Sequence, residues 1–143
     1  MKPDTRLWLA RLCIGLVVLW NLQCALVFLL WPERFTAGFE LVGVPGEAAM
    51  RGVGLLFVMW NIPYAVALWH PVRFRVSLYE ASAMQAIGLL GETLIYFSLP
   101  SAHNLLQASL LRFILFDGVG LILLLLAVWL VRHATFSTSV HQT

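Results

Sequence analysis

The chain has 143 residues, 61% of them hydrophobic and only 11% charged, a net charge of +2 and a mean hydropathy of +0.87. Soluble domains run at about 45–50% apolar and 25% charged, so the composition is that of an integral membrane protein and excludes an ordinary soluble globule. The cations are spread in ones and twos along the chain. They form no basic stripe of the kind nucleic-acid binding requires, and nucleic acid is excluded as a partner.

A bilayer core asks for about 20 apolar residues per helix. Four stretches meet that length, 7–31, 48–69, 78–99 and 105–131. The expected fold is therefore all-α: one four-helix transmembrane domain over 1–143 with a polar C-terminal tail at 132–143. Short second and third connections favour up-down-up-down order.

The first stretch follows Lys2, Arg6 and Arg11. A charged start before an apolar run can imitate a signal peptide, but this run is too long and lacks a small-x-small cleavage site, so a retained helix is expected. Cys13 and Cys24 stand about three turns, roughly 16 Å, apart on one helix, too far to bridge, and read as small buried hydrophobes. Asn21 and Gln23 are the polar residues inside this span. The connection that follows, PERFTAGFELVGVPGE, carries Phe35, Phe39, Leu41, Val42 and Val44. It is too apolar for a free loop and too short to span, so it is expected to lie on the outer interface or fold over the bundle.

The second stretch opens with Arg51, which either snorkels or pairs with Glu47, and holds Asn61 and Pro63 near its middle. A proline there frees the carbonyl near Met59 and is expected to kink the helix. In the third stretch Gln85, Gly88, Glu92 and Tyr96 follow i, i+3, i+7, i+11 and form one stripe. That stripe is expected to face inward, with Gly88 and Gly91 admitting a neighbouring helix. Glu80 is expected to pair with Arg75 at the surface. The fourth stretch contains Arg112 and Asp117, five residues and so about 140° apart.

Pro32, Pro45, Pro71 and Pro100 fall just outside the four stretches, where a missing backbone donor does least harm. Trp8, Trp31, Trp69 and Trp129 sit near helix ends as interfacial anchors, whereas Trp20 and Trp60 lie deeper and are expected to pack inside. Arginines mark alternate ends: Arg6 and Arg11, then Arg73 and Arg75, then Arg132. By the positive-inside rule both termini are cytoplasmic, as in a multi-pass protein of a bacterial inner membrane.

Ionisable groups inside a span are costly and tend to face the bundle interior and find partners. Counted inward from the outer ends, Glu92 and Arg112 share a level about 10 Å deep, with Gln23 close to it. Asp117, Asn61 and Gln85 share a deeper level, with Asn21 between the two layers. The expected pairing is an Arg112–Glu92 ion pair above an Asn61–Asp117–Gln85 cluster. Asp117, with only amides for company, is then a titratable candidate. The candidate site residues are Glu92, Arg112, Asp117, Asn61, Gln85, Asn21, Gln23 and Tyr96.

His70, His103, His133 and His141 all fall outside the spans, so paired axial ligands for an intramembrane haem are not expected. His70 and His133 share the cytoplasmic face, where solvated helix-end histidines are the ordinary case and a metal site is not expected. The sequence has no CxxC, HExxH, phosphate-binding glycine loop or nucleophile elbow. Enzymatic chemistry would rest on Glu92, Asp117, Tyr96 and Arg112 alone, a constellation that is not diagnostic.

The first connection, W-P-E-R-F…G-F-E-L-V-G-V-P, and the R-G-V-G-L-L opening of the second helix resemble the DoxX-like superfamily of small four-helix bacterial membrane proteins, near its BphX-like branch. The resemblance covers about 20–131 and lies in spacing and hydropathy. It implies an accessory or lipophile-binding role, since the group includes a subunit associated with quinone-linked oxidoreductases. It transfers no site residue. The expected function is a non-catalytic subunit or a binder of a lipophilic molecule, a quinone or a lipid, within the polar bundle interior. The competing expectation is a small proton-coupled transporter or channel using Asp117 or Glu92. The expected partners are the lipid bilayer, such a lipophile and, through small residues at Gly52, Gly54, Gly118 and Gly120, a homo-oligomer or larger membrane complex.

Overall fold

The computed structural model of the protein describes the backbone of residues 3–139 and the side chains of 4–134. It is all-helical over these residues. Helix α1 spans Pro3–Leu30, the short α2 Glu33–Thr36, α3 Gly43–Trp69, α4 Arg75–Ser98 and α5 Asn104–Ser139, with a 3-10 turn at Ala37–Phe39 after α2. Three of these helices, α1, α3 and α5, are long and apolar enough to cross a membrane, and only 22% of the apolar window of α3 is buried inside the protein. The rest of that window needs an apolar surround, and this marks the chain as a membrane protein.

Proline chemistry sets three of the helix ends. Leu99, before Pro100, is extended at φ −73° and ψ 136°, as the residue before a proline prefers. Trp31 before Pro32 and His70 before Pro71 likewise stand just outside α1 and α3. Pro45 differs from expectation, because α3 begins at Gly43 and takes Pro45 into its first turn. There the backbone N–H has no helical partner to lose, so the helix starts five residues before the apolar stretch does. Pro63 lies inside α3, which runs unbroken to Trp69. At the other extreme α5 continues past the expected boundary at 131 to Ser139, so the start of the expected polar tail is helical. Lys2 and His141, which the sequence reading placed near the termini, lie outside the described residues.

Helix α1 packs against α3 and α5, and α4 against α5 and α3, closing a ring in which α1 faces α4 across the centre. Gly54 brings α3 close to α1, since a Cβ there would stand 3.0 Å from the carbonyl of Ala25 and 3.1 Å from Phe28. Two ends of the bundle can be distinguished by their polar contacts. At one, Arg6 donates to the His133 carbonyl (2.8 Å), Arg11 to the last carbonyl of α3 at Trp69 (3.2 Å) and Arg132 to the Tyr79 hydroxyl (3.3 Å). Those contacts gather the start of α1 and the end of α5 with the end of α3 and the start of α4. The other end carries the first connection, the Arg51–Glu47 pair at 3.5 Å and the His103–Glu40 pair.

The apolar core belongs to the arginine end. Ile14, Val17, Leu78, Leu124, Ala127 and Val131 form it, all within 1% exposure, with Tyr64 at its edge. Towards the other end phenylalanines replace aliphatic side chains. Phe28 meets Phe35 at 4.9 Å and Phe113 at 6.1 Å between ring centres, and Phe57 stacks on Phe113 at 6.2 Å. The two cavities described below lie here. Trp20 and Trp60, expected inside, are 42% and 48% exposed on the outer surface; Trp20 leans on Phe116 and Trp60 on Phe57. Glu80 is exposed and, among the described residues, pairs with no arginine. Five residues apart on a helix, Arg75 and Glu80 diverge by about 140°.

Candidate functional site

The deeper polar level is assembled by α3, α4 and α5. Gln85, only 3% exposed, uses both ends of its amide: Nε2 donates to Asp117 Oδ1 at 2.8 Å, and Oε1 accepts from the Tyr64 hydroxyl at 2.8 Å. Three helices are thereby tied by one row, Tyr64–Gln85–Asp117. Two glycines make room for it. A Cβ on Gly88 would run into Asp117 Oδ2, and one on Gly120 would stand 2.7 Å from Gln85 Nε2.

The row forms part of the wall of a cavity of about 470 Å³. Asn21 of α1, Phe57, Trp60 and Tyr64 of α3, Asp117 of α5 and a run of α4 that includes Gln85, Gly88, Gly91 and Glu92 line it. The expected stripe on α4 thus faces inward at Gln85, Gly88 and Glu92. Tyr96, the fourth member, is half-buried beside Phe97 at 5.4 Å and does not line the cavity. Glu92 is half-buried, and its Oε2 has no hydrogen-bond partner among the described residues.

Two expected pairings are not formed. Asn61 does not join Asp117: its Nδ2 turns back to the Phe57 carbonyl one turn earlier (2.8 Å), and its Oδ1 is buried without a partner. Tyr64, one turn further along α3, takes the place expected for Asn61. Tyr64 was open to discovery from the i, i+3 relation to Asn61, but an interior tyrosine reads as packing until its hydroxyl is given a depth. Nor does Arg112 reach Glu92; among the described residues the salt bridges are those at Glu47 and Glu40. The cause is angular. With Asp117 turned toward Gln85 of α4, Arg112, about 140° around α5, must point elsewhere. Gln23 is exposed and lines neither cavity.

Arg112 instead lines a second cavity of about 300 Å³ beneath the first connection. Its walls are Cys24 and Phe28 of α1, Arg34, Phe35, Gly38 and Phe39 of the connection, and Ser109, Arg112, Phe113 and Phe116 of α5. The connection is docked, as one of the two expected placements had it. Ser109 donates to the Gly38 carbonyl at 2.6 Å. Glu40 takes the left-handed conformation at φ 55° and sends its carboxylate to His103 Nδ1 (2.5 Å) and the Leu106 N–H (3.4 Å) in the first turn of α5. The His103 hydrogen bond, helped by that backbone N–H, holds the Glu40 carboxyl below its ordinary value of 4.5. The stacked Phe57 and Phe113 belong one to each cavity, so a single aromatic layer separates them.

At the arginine end each imidazole is engaged within its own turn. The Arg73 N–H donates to His70 Nδ1 at 3.3 Å, and His133 Nδ1 lies 2.9 Å from the Trp129 carbonyl. Compared with models of known protein families, with curated proteins and with solved structures, the chain gives no match. The resemblance to DoxX-like proteins therefore stands on residue pattern alone.

Proposed function

We propose that the protein is a four-span membrane protein that holds a lipophilic molecule, a quinone or a lipid, in the 470 Å³ cavity and serves as a binding or accessory subunit rather than as a catalyst. The observation that carries this reading is the unpartnered Glu92 Oε2 in a largely apolar chamber that also holds the Tyr64–Gln85–Asp117 row. A buried polar atom without a partner is costly; a ligand hydroxyl donates to the carboxylate, and a carbonyl head accepts from Glu92 when its carboxyl carries the proton. The volume falls within the range of about 300–1,000 Å³ typical of small-molecule sites. Asn21, on the same wall, offers an amide donor to a carbonyl head, and Phe57 and Trp60 give flat surfaces to its ring. The DoxX-like resemblance supports the accessory role. With Arg6, Arg11, Arg73, Arg75 and Arg132 on the cytoplasmic side, the cavity lies in the outer half of the bilayer.

Gly91 offers the test. It lines the cavity, and a Cβ there meets nothing within 4 Å, so Gly91→Leu should fold while filling the chamber. Delipidated protein given an isoprenoid benzoquinone or a neutral diacyl lipid should retain one molecule in native mass spectrometry, and Gly91→Leu should lose it. Retention by folded Gly91→Leu, or none by the parent, would overturn the reading. A second reading, proton-coupled transport, is favoured by the presence of Glu92 and Asp117 in one cavity. It predicts flux driven by a pH gradient in liposomes that Asp117→Asn abolishes; flux indifferent to that substitution would exclude it.

A further inference from the structure

The second cavity has a chemistry opposite to the first. Its lining contains two arginines and no acid. Arg112 makes neither an ion pair nor a hydrogen bond among the described residues, while Arg34 lies over the Trp31 ring at 5.6 Å with its charge uncompensated. Arg112 stands eight residues into α5 from Asn104, about 12 Å along the axis. Both Arg112 and Arg34 are exposed and so open to a ligand, and a guanidinium flanked by apolar walls beside hydrocarbon is stabilised by an anion. Glu92, the acid expected to pair with Arg112, lines the other cavity. The remaining walls are aromatic: Phe28, Phe35, Phe39, Phe113 and Phe116.

We infer that this cavity is a second binding site, distinct from the first, for an anionic amphiphile whose phosphate or carboxylate head sits between Arg34 and Arg112 and whose chain lies along the phenylalanines. Guanidinium forks match either oxyanion in a two-point arrangement. The two arginines come from different elements, one from the docked connection and one from a spanning helix, so a bound head also ties the connection to α5. That places the ligand under the same segment that Glu40 and Ser109 fasten to the start of α5. The anion has two sources, a phospholipid of the membrane or a free fatty acid, and the chemistry is shared.

Native mass spectrometry of delipidated protein distinguishes them. Phosphatidylglycerol, phosphatidylcholine of the same chains and oleate are titrated separately, in a non-ionic detergent, against Gly91→Leu, whose first cavity is filled. The tight site should take phosphatidylglycerol or oleate at least tenfold more strongly than phosphatidylcholine, and the preference should weaken as salt rises. Selectivity for phosphatidylglycerol over oleate identifies a membrane lipid; the reverse identifies a fatty acid. Arg112→Gln should lose the preference about tenfold or more. Arg34→Gln, at an exposed position, should weaken it too. Arg73→Gln, at the other end, should leave it intact, and because the first cavity is filled throughout, failure here is separable from failure of the first site. Equal affinity for phosphatidylcholine, or a preference unmoved by both Arg112→Gln and Arg34→Gln, would overturn the inference.

Discussion

Gln85 is the residue on which three helices depend. Its replacement by leucine strands the Tyr64 hydroxyl and Asp117 Oδ1 together. Hydrogen bonds between membrane helices measure about 0.6–1.7 kcal/mol, so Gln85→Leu should destabilise the protein by about 1–3 kcal/mol, read by unfolding in mixed micelles. Parental stability in that variant would show the row to be ornamental to the fold. The glycines predict a contrast on the same assay. Gly120→Ala pushes on Gln85 Nε2 and Gly88→Ala on Asp117 Oδ2, and both should destabilise, whereas Gly52→Ala meets nothing within 4 Å and should be neutral or gain up to about 1 kcal/mol of helix propensity. Equal effects at all three would mean that close approach is not what selects glycine here. Asp117 and Gln85 were legible in the sequence because polar groups inside a membrane must meet one another. Arg112 does not meet Glu92 because the angle of about 140° between it and Asp117 fixes that the two diverge but not which of them faces α4, and Asn61 satisfies its donor on its own helix instead.

At the scale of elements the first connection is the least regular part and the one most firmly fastened. A glutamate at φ 55° occupies a conformation that glycine or asparagine usually takes. What Glu40 adds there is its carboxylate, which reaches His103 and supplies the Leu106 N–H, an orphan donor of the first turn of α5, with an acceptor. Because the folded carboxyl is held below its ordinary value of 4.5, its contribution is fully present above that value and is lost as pH falls through the lower folded one. Hydrogen exchange across 33–42 should therefore show protection that declines on acidification below the ordinary carboxylate range. Glu40→Gln should abolish that dependence and leave exchange faster throughout. Identical protection in the variant would mean that Ser109 and the phenylalanines hold the segment unaided. The sequence showed that this connection was too apolar to be free, from Phe35 and Phe39. It did not show where it docks, because Gly38 and Ser109 are 71 residues apart and nothing local ties them.

The molecule as a whole is apolar on its outside. Leu19, Ile62, Ile87, Leu94, Leu115 and Ile122 are each more than 60% exposed, and such a surface is stable only in an apolar surround. Overall helicity and the positions of the long helices were legible because hydropathy and proline placement act locally. Where each helix ends was less so, since Pro45 fits a first turn and α5 runs on beyond its apolar stretch. Helix α4 falls outside the three apolar spans, and here hydropathy and geometry part company. Its polar residues Ser82, Gln85 and Glu92 turn inward while Ile87, Leu90, Leu94 and Phe97 turn outward. Its 24 residues reach about 36 Å, against a hydrocarbon thickness of about 30 Å. It starts beside Arg132, at the arginine end, and leads into His103, at the opposite end. A three-span arrangement would leave 73 and 101 on one side of the membrane, whereas four spans put them on opposite sides. In a background lacking Cys13 and Cys24, an impermeant maleimide applied to intact cells should label Ala37→Cys and Ser101→Cys, both on exposed positions, and should reach Arg73→Cys only after permeabilisation. Labelling of positions 73 and 101 from the same side would remove α4 from the membrane and, with it, the wall that carries Glu92.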